Sequence, residues 1–502
     1  MPRATFSTVA AILLLALAGR AAAYVPADLD RGFGRGGVTV SSPSALRIAT
    51  RHSLIETGSD ALAAVDRSLQ SNGGCAYDTR LDRFRLSDGL LQGSQAFPAN
   101  PTCPTPIPGE VAVGRDAAGR AYVALGEGSS IHLTRLLGDG AVDPEFGLGG
   151  TEVLPTPRPT IPERLRVGAD ESVLLAGVAA ARADAPATET FLARVAGGSL
   201  DPAFGEGGIR FLDVGFGEST PQPSALAVGR KGDIYLAGPL VKASGGHQLT
   251  PAGVRAFLPD GRADRRFGKE GFVRLGGSAA PAMAFSKERL LVAVNRQGRP
   301  SQVAQLTEAG KLDRSFGEAG VVTLPAKRRF GIAEIAVDGN DRIALAGVLR
   351  NHIAVDRLGP SGEQDRTFAG GGVFHLDSAA KAPFGAPTVE GLTLSSGNAG
   401  GGIAVTAMVR SFCADLDCAS ARRWDVRFRL LGQTSHEACG SRRATIVGTS
   451  RGEKLVGTRR ADVIAGLGGN DTILGRDGND LICGGRGRDR IEPGPGRDTV
   501  LP

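Results

Sequence analysis

The 502-residue chain holds one Trp, four Tyr, three Met and six His, and aromatic residues make up 5% of it. A single Trp argues against a sugar site lined by aromatic rings. The six His, at 52, 132, 247, 352, 375 and 436, stand isolated from one another, and no HExxH, CxxC or Walker-type spacing occurs. The spacings that serve a catalytic zinc, a redox dithiol or a nucleotide phosphate are thus missing. GEST (217–220) and DGND (338–341) read as turn residues. Net charge is +6, with no basic stripe interleaved with aromatics, so the sequence lacks the stacking platform of a single-strand nucleic-acid binder.

Long apolar runs are absent beyond the N-terminus. There, MPRATFSTVAAILLLALAGRAAAYV carries Arg3, an apolar run from Val9 to Ala18, and Ala21 to Ala23 before Tyr24. Residues 1–23 read as a cleaved secretory signal, since the run is shorter than a spanning helix needs. The mature chain is expected outside the cytoplasm, without a transmembrane segment. Its six Cys permit three disulfides there. Cys413 with Cys418, Cys75 with Cys103 and Cys439 with Cys483 is one of fifteen possible pairing schemes.

Glycine, by contrast, is plentiful, at 73 residues, without a three-residue period, which points to many tight turns between short strands. A dozen-residue phrase recurs: LDRGFGRGGVTV, VDPEFGLGGTEVL, LDPAFGEGGIRFL and LDRSFGEAGVVTL. Its Phe falls at 33, 146, 204, 267, 316 and 368, with gaps of 113, 58, 63, 49 and 52. The first gap is double the rest, so a degenerate copy is expected inside it, ending at Phe97. Seven units then fill Leu29 to about Gly432.

Between the phrases lie short apolar runs such as AYVALG, VLLAG, IYLAG and IALAG, bounded by turn residues such as GRKGD. Nearly continuous apolar runs of this length suit strands buried on both faces. In the phrase, Asp-Pro suits a type I turn, with the Asp carboxylate bonding the backbone ahead. Phe204 is expected as an apolar plug between neighbouring sheets. The glycines at 205, 207 and 208 supply positive φ where the chain is expected to cross from one unit to the next. Four strands in some 50–60 residues make a propeller blade, and seven blades close a ring. The first phrase lacks a preceding strand and the last strand lacks a following phrase, so Leu29–Val40 is expected beside Trp424–Gly432.

The LDxxFGxxG units resemble the delta-60 repeat of secreted and cell-surface bacterial proteins, a likeness covering about four-fifths of the chain. It implies the export expected above and carries no activity.

From Gly448 the period changes to nine: GTSRGEKLV, GTRRADVIA, GLGGNDTIL, GRDGNDLIC, GGRGRDRIE and PGPGRDTVL. The sixth position is acidic in all six copies and the eighth is a large aliphatic. This resembles the haemolysin-type calcium-binding repeat of RTX proteins, GGxGxDxUx. The resemblance implies that six residues turn and three form a strand, that copies two apart stack, and that Asp471 lies over Asp489 and Asp480 over Asp498. Calcium is the implied cofactor, taken by carboxylates and glycine-turn carbonyls. The candidate metal residues are Asp462, Gly466, Gly468, Gly469, Asp471, Gly475, Asp477, Gly478, Asp480, Gly484, Arg486, Gly487, Asp489, Gly496 and Asp498. The first two copies depart from the pattern, with Arg451 and Arg460 at the fourth position, and nine basic side chains accompany eight acidic ones between Gly448 and Leu501. Positive neighbours disfavour a divalent cation, so occupied sites are expected at the later copies.

The sequence therefore predicts an all-β protein, a seven-bladed β-propeller (24–432) and a linker (433–447) followed by a short parallel β-roll (448–502). No catalytic residue is identified. The expected role is non-enzymatic binding of an extracellular polysaccharide or protein. The competing reading is an extracellular hydrolase, lyase or oxidoreductase with its site at the propeller mouth, since rings of this kind carry catalytic groups on loops.

Overall fold

The computed structural model describes residues 38–44, 54–57, 61–70, 76–85, 91–100, 112–180, 187–212, 223–239, 252–277, 282–325, 330–338, 341–349, 352–365, 368, 373–376, 388–394, 403–410, 423–430, 438–439, 442–444, 446–447, 452–466, 469–485 and 487–501. Every regular element among them is a β-strand or a bridge, apart from a 3-10 turn at Phe368.

Ahead of residue 438 the described strands form seven antiparallel sheets, six of four strands and one of five. They occupy residues 54–100, 112–155, 160–212, 225–274, 283–323, 330–376 and 388–430. The seventh takes its outer strand from the other end of the array: Val38–Ser44 pairs antiparallel with Arg423–Leu430, Val38 opposite Phe428 and Val40 opposite Val426. Val38–Val40 therefore lies beside Val426–Phe428 as expected, while residues 29–37 and 431–432 of that expectation lie outside the described residues. The first strands of successive sheets touch in order, and that of the seventh, Thr388–Leu394, touches that of the first, Leu54–Thr57.

The inner strands are deeply buried. Val173–Ala180 is buried at every position, Ile343–Leu349 at all but one, and Ala121–Glu127 over its first four residues. Their apolar runs lack two-residue alternation because both faces are covered by neighbouring sheets. Phe146, Phe204, Phe267, Phe316 and Phe368 are all buried. Phe204 joins Leu174, Leu192 and Leu212 of the third sheet to Leu226, Ile234 and Leu236 of the fourth, as a plug between sheets.

The turn chemistry is also as expected. Asp201 accepts the Ala203 amide on its carboxylate at 2.9 Å and the Phe204 amide on its carbonyl at 2.9 Å. What differs is the place of the phrase in the sheet. LDPAFGEGG joins Ala187–Ala196 to Ile209–Leu212, and these two strands pair, Leu192 opposite Arg210. The glycines therefore serve a connection inside one sheet rather than a crossing between units. Gly205 nevertheless reaches the next sheet, its amide donating to the Asp260 carbonyl at 3.0 Å, and Gly317 does likewise to Ser361 at 2.8 Å. Gly261, at φ +82, lies so close over Phe204 that a Cβ would sit 2.8 Å from the ring. A second correction concerns Phe97. It lies within the strand Leu91–Asn100 opposite Thr79, whereas the motif Phe of the other described units precedes the last strand of its sheet, so the degenerate copy does not end where it was expected to.

Sequence reading missed a cation that completes three of these units. Arg135, Arg194 and Arg357, on the third strands of their sheets, each bind the motif carboxylate (Asp143, Asp201 and Asp365) and lie over the motif ring (Phe146, Phe204 and Phe368). Each Arg precedes its Asp by seven or eight residues, which was the available signal.

Candidate metal centre

The C-terminal module consists of two parallel sheets of three- and two-residue strands. Ile446–Val447, Val463–Ala465, Leu481–Cys483 and Thr499–Leu501 form one, and Lys454–Val456, Thr472–Leu474 and Arg490–Glu492 the other. Partners lie eighteen residues apart, with Ile464 opposite Ile482 and Ile473 opposite Ile491. The nine-residue copies thus alternate between sheets, and the eighth-position aliphatics Leu455, Ile464, Ile473 and Ile482 meet in a narrow core. Cys439 and Cys483 form a disulfide that ties the preceding segment to this stack. The other four Cys lie outside the described residues.

Stacking aligns the sixth-position carboxylates. The backbone N–H of Asp462 donates to Asp480 Oδ1 at 2.8 Å, that of Asp471 to Asp489 Oδ1 at 3.0 Å, and that of Asp480 to Asp498 Oδ1 at 2.9 Å. Asp471 and Asp480 are 1% and 2% exposed, and the second oxygen of each, Oδ2, is buried without a hydrogen-bond partner. An unsatisfied buried carboxylate oxygen is expensive, roughly 1–3 kcal/mol or more for a charged group. Burial pushes the Asp471 carboxyl above the usual range; the Glu453 amide opposes this, and the nearby Asp489 and Glu453 charges add to it.

Both orphaned oxygens look into a space kept open by glycine. A Cβ on Gly466 would lie 2.8 Å from Asp471 Oδ2 and closer still to the Gly484 carbonyl. A Cβ on Gly475 would lie 2.7 Å from Asp480 Oδ2 and closer still to the Pro493 carbonyl. A carboxylate oxygen and a main-chain carbonyl from the copy eighteen residues on thus converge twice. Among the described residues no three His, Cys, Asp or Glu side chains form a metal-holding group, so carbonyls must supply much of the oxygen. Hard, oxygen-only donors with buried negative charge fit calcium.

The remaining candidates fall as follows. Asp489 and Asp498 are half-buried and supply the Oδ1 acceptors named above. Gly469, Gly478, Gly487 and Gly496, the fourth positions, adopt φ of 99°, 135°, 138° and 150°, and Gly487 stacks on the Gly469 carbonyl. Asp477 is exposed at a turn crest, away from the buried ladder. Gly468 and Arg486 lie outside the described residues. Asp462 differs from its counterparts: Oδ2 accepts the Thr458 amide at 2.6 Å and the Thr458 hydroxyl at 2.9 Å. Its second oxygen is already satisfied. Thr458 was not singled out from sequence, although it stands where the repeat pattern has glycine. Asn470 and Asn479 were also missed; their Oδ1 atoms accept the Arg488 and Arg497 amides at 2.8 and 2.9 Å. Asn holds that position only in copies three and four, so a six-copy pattern does not show it.

Residues 456–491 match the family model of the RTX calcium-binding nonapeptide repeat, in four copies. Repeats of this family bind calcium, which supports calcium as the ligand of the module. No curated protein matches the chain by sequence. Among solved structures, prolyl oligopeptidase B from Galerina marginata is similar at 12% identity and a TM-score of 0.37, over 81% of this chain and 54% of that one. A glucose dehydrogenase is similar at 15% identity and a TM-score of 0.33, over 62% of this chain and 95% of that one. The chain thus spans about half the length of the Galerina enzyme it matches. No helix among the described residues is long and apolar enough to cross a membrane.

Proposed function

We propose that this chain is an exported, non-enzymatic binding protein whose C-terminal module folds around calcium. In this reading residues 1–23 are a signal removed on export. Residues 24–432 are delta-60-like repeats that form the seven blades of a closed propeller, with residues 433–447 linking the ring to the roll at 448–502. The cyclic contacts of the first strands and the pairing of Val38–Ser44 with Arg423–Leu430 support the ring. A rigid ring offers a broad face to an extracellular polysaccharide or protein.

The observation that carries the calcium assignment is the pair of buried oxygens, Asp471 Oδ2 and Asp480 Oδ2, each facing a carbonyl across a glycine-lined gap. Calcium would neutralise these carboxylates and draw on several oxygens of stacked copies at once. Asp471, Asp480, Asp489 and Asp498, with the Gly466, Gly475 and Gly484 turns, are the residues assigned to hold it. A narrow aliphatic stack of this size buries little apolar surface, so metal binding contributes folding free energy directly. The test is calcium titration of the mature full-length chain, by calorimetry and circular dichroism. Heat release with a strengthened β signal at up to millimolar calcium is expected; no change in either removes the assignment.

A further inference from the structure

The acidic charge of the roll lies inside and much of its basic charge outside. Asp462, Asp471 and Asp480 are buried, whereas Arg459, Arg460, Arg476 and Arg497 are exposed. These four arginines occupy the turns that lead into Val463–Ala465, Leu481–Cys483 and Thr499–Leu501, strands stacked in parallel on one side of the module. Parallel strands repeat at about 4.8 Å, so the arginines form a comb along a single edge. Asp477 is the one exposed acidic residue among the described positions of those turns. None of the four arginines forms an ion pair among the described residues, whereas Arg490 on the other sheet is tied to Glu492 at 2.9 Å.

Two features show that the comb is built rather than incidental. Its crests are pinned: the Arg497 amide donates to Asn479 Oδ1 at 2.9 Å, and the Arg460 amide to the Thr458 hydroxyl at 3.1 Å. Arg476 also stands in a glycine slot. Its φ is +71°, and the equivalent residues of the next two copies are Gly485 at +90° and Gly494 at +95°. A long side chain held in the left-handed region, where glycine is the natural occupant, points to a use for that side chain.

We infer that this arginine edge is a binding surface for an acidic polysaccharide, engaged when the calcium sites of the roll are filled. The inference rests on the calcium reading above. With nine basic and eight acidic side chains the repeat segment is close to neutral, and each bound divalent ion adds two positive charges behind the comb. The segment from 438 to 502 has no Phe, Tyr, Trp or His, so it offers no ring to stack on bases or neutral sugars. Among its described large hydrophobics only Val500 is markedly exposed, leaving no apolar wedge for a bilayer. A row of guanidinium groups along one edge matches a polymer that repeats its anionic groups, recognised by charge and paired N–H donors.

The test uses the full-length protein, with dextran sulfate as probe and uncharged dextran as control, in calcium or in EGTA. Dextran sulfate should bind in calcium, about tenfold more weakly in EGTA, and more weakly as salt rises. Arg476→Gly relaxes the backbone, so it should fold and respond to calcium as the parent does. It should nonetheless lose affinity and lower the salt slope by about one, as should Arg497→Gln. Equal binding in EGTA, or unaltered affinity and slope in both variants, overturns the inference. Tighter binding to phosphatidylserine vesicles or to single-stranded DNA than to dextran sulfate overturns the polysaccharide assignment. Because calcium uptake is read separately by calorimetry, failure of the comb and failure of the calcium sites give different results.

Discussion

Replacing Asp480 by Asn should make the roll more stable without calcium and less stable with it. In the parent, Asp480 Oδ1 accepts the Asp462 amide, while Oδ2 is buried without a partner beside the Pro493 carbonyl. An Asn can keep the first bond and turn its amide N–H toward that carbonyl. Removing an unsatisfied buried acceptor is worth about 1–3 kcal/mol, so the variant should gain roughly that much in EGTA. With calcium at a thousandfold excess over its dissociation constant, one site stabilises the parent by about 4.1 kcal/mol, and the variant forfeits most of this. In a module this small, 1 kcal/mol moves the melting temperature by about 4–8 °C. The assay is the calcium-dependent melting transition of the full chain, followed by circular dichroism in EGTA and in millimolar calcium. The order of parent and variant should invert between the two. A variant that melts lower in EGTA and keeps the parental calcium shift would refute the reasoning.

Three further outcomes are expected. Thr458→Val removes one hydrogen bond to Asp462 Oδ2 and should cost about 1–3 kcal/mol equally with and without calcium; a loss seen only in calcium would place Asp462 among the ligands. Phe204→Ala opens a cavity between the third and fourth sheets and should destabilise the array by about 3–5 kcal/mol in urea denaturation, an effect below 1 kcal/mol counting against the plug. Burial holds the Asp471 carboxyl above its unfolded value. Without calcium, its contribution to stability is full below the unfolded pKa and is lost as pH rises through the folded one. Calcium takes only the ionised form, so its affinity should fall on acidification, starting above the usual carboxylate range. Calorimetry at stepped pH checks this, and a flat affinity down to pH 4 would contradict it.

Much of the architecture was legible because tandem copying makes position visible. A Phe that recurs between apolar runs has to pack somewhere common to its copies, and the five from Phe146 to Phe368 are all buried. The two ends of the array were paired by elimination, since each lacked what the other supplies. Periodicity does not, however, say where a sheet begins. Ile209–Leu212 follows the glycine turn in sequence but completes the preceding sheet, because the turn folds it back on Ala187–Ala196. Phe97 was matched to the motif on spacing alone, and spacing does not distinguish a Phe ahead of the last strand from one within it. In the roll, the Asp ladder could be read from the sixth position of six copies. The satisfaction of Asp462 by Thr458 could not, since it depends on which hydroxyl stands beside which oxygen. Arg135, Arg194 and Arg357 escaped notice because Ala256 and Gln305 stand at the matching places of two other units.

The pairing of Val38–Ser44 with Arg423–Leu430 also governs the order of maturation. A chain emerging from its N-terminus delivers this outer strand first and its partner nearly last, so the earliest segment must wait while six sheets assemble. Until then it is an unzipped hem, open to proteases and to the hems of other copies. Truncation anywhere upstream of Arg423 would leave every shortened product with that loose edge, however well its remaining sheets had formed.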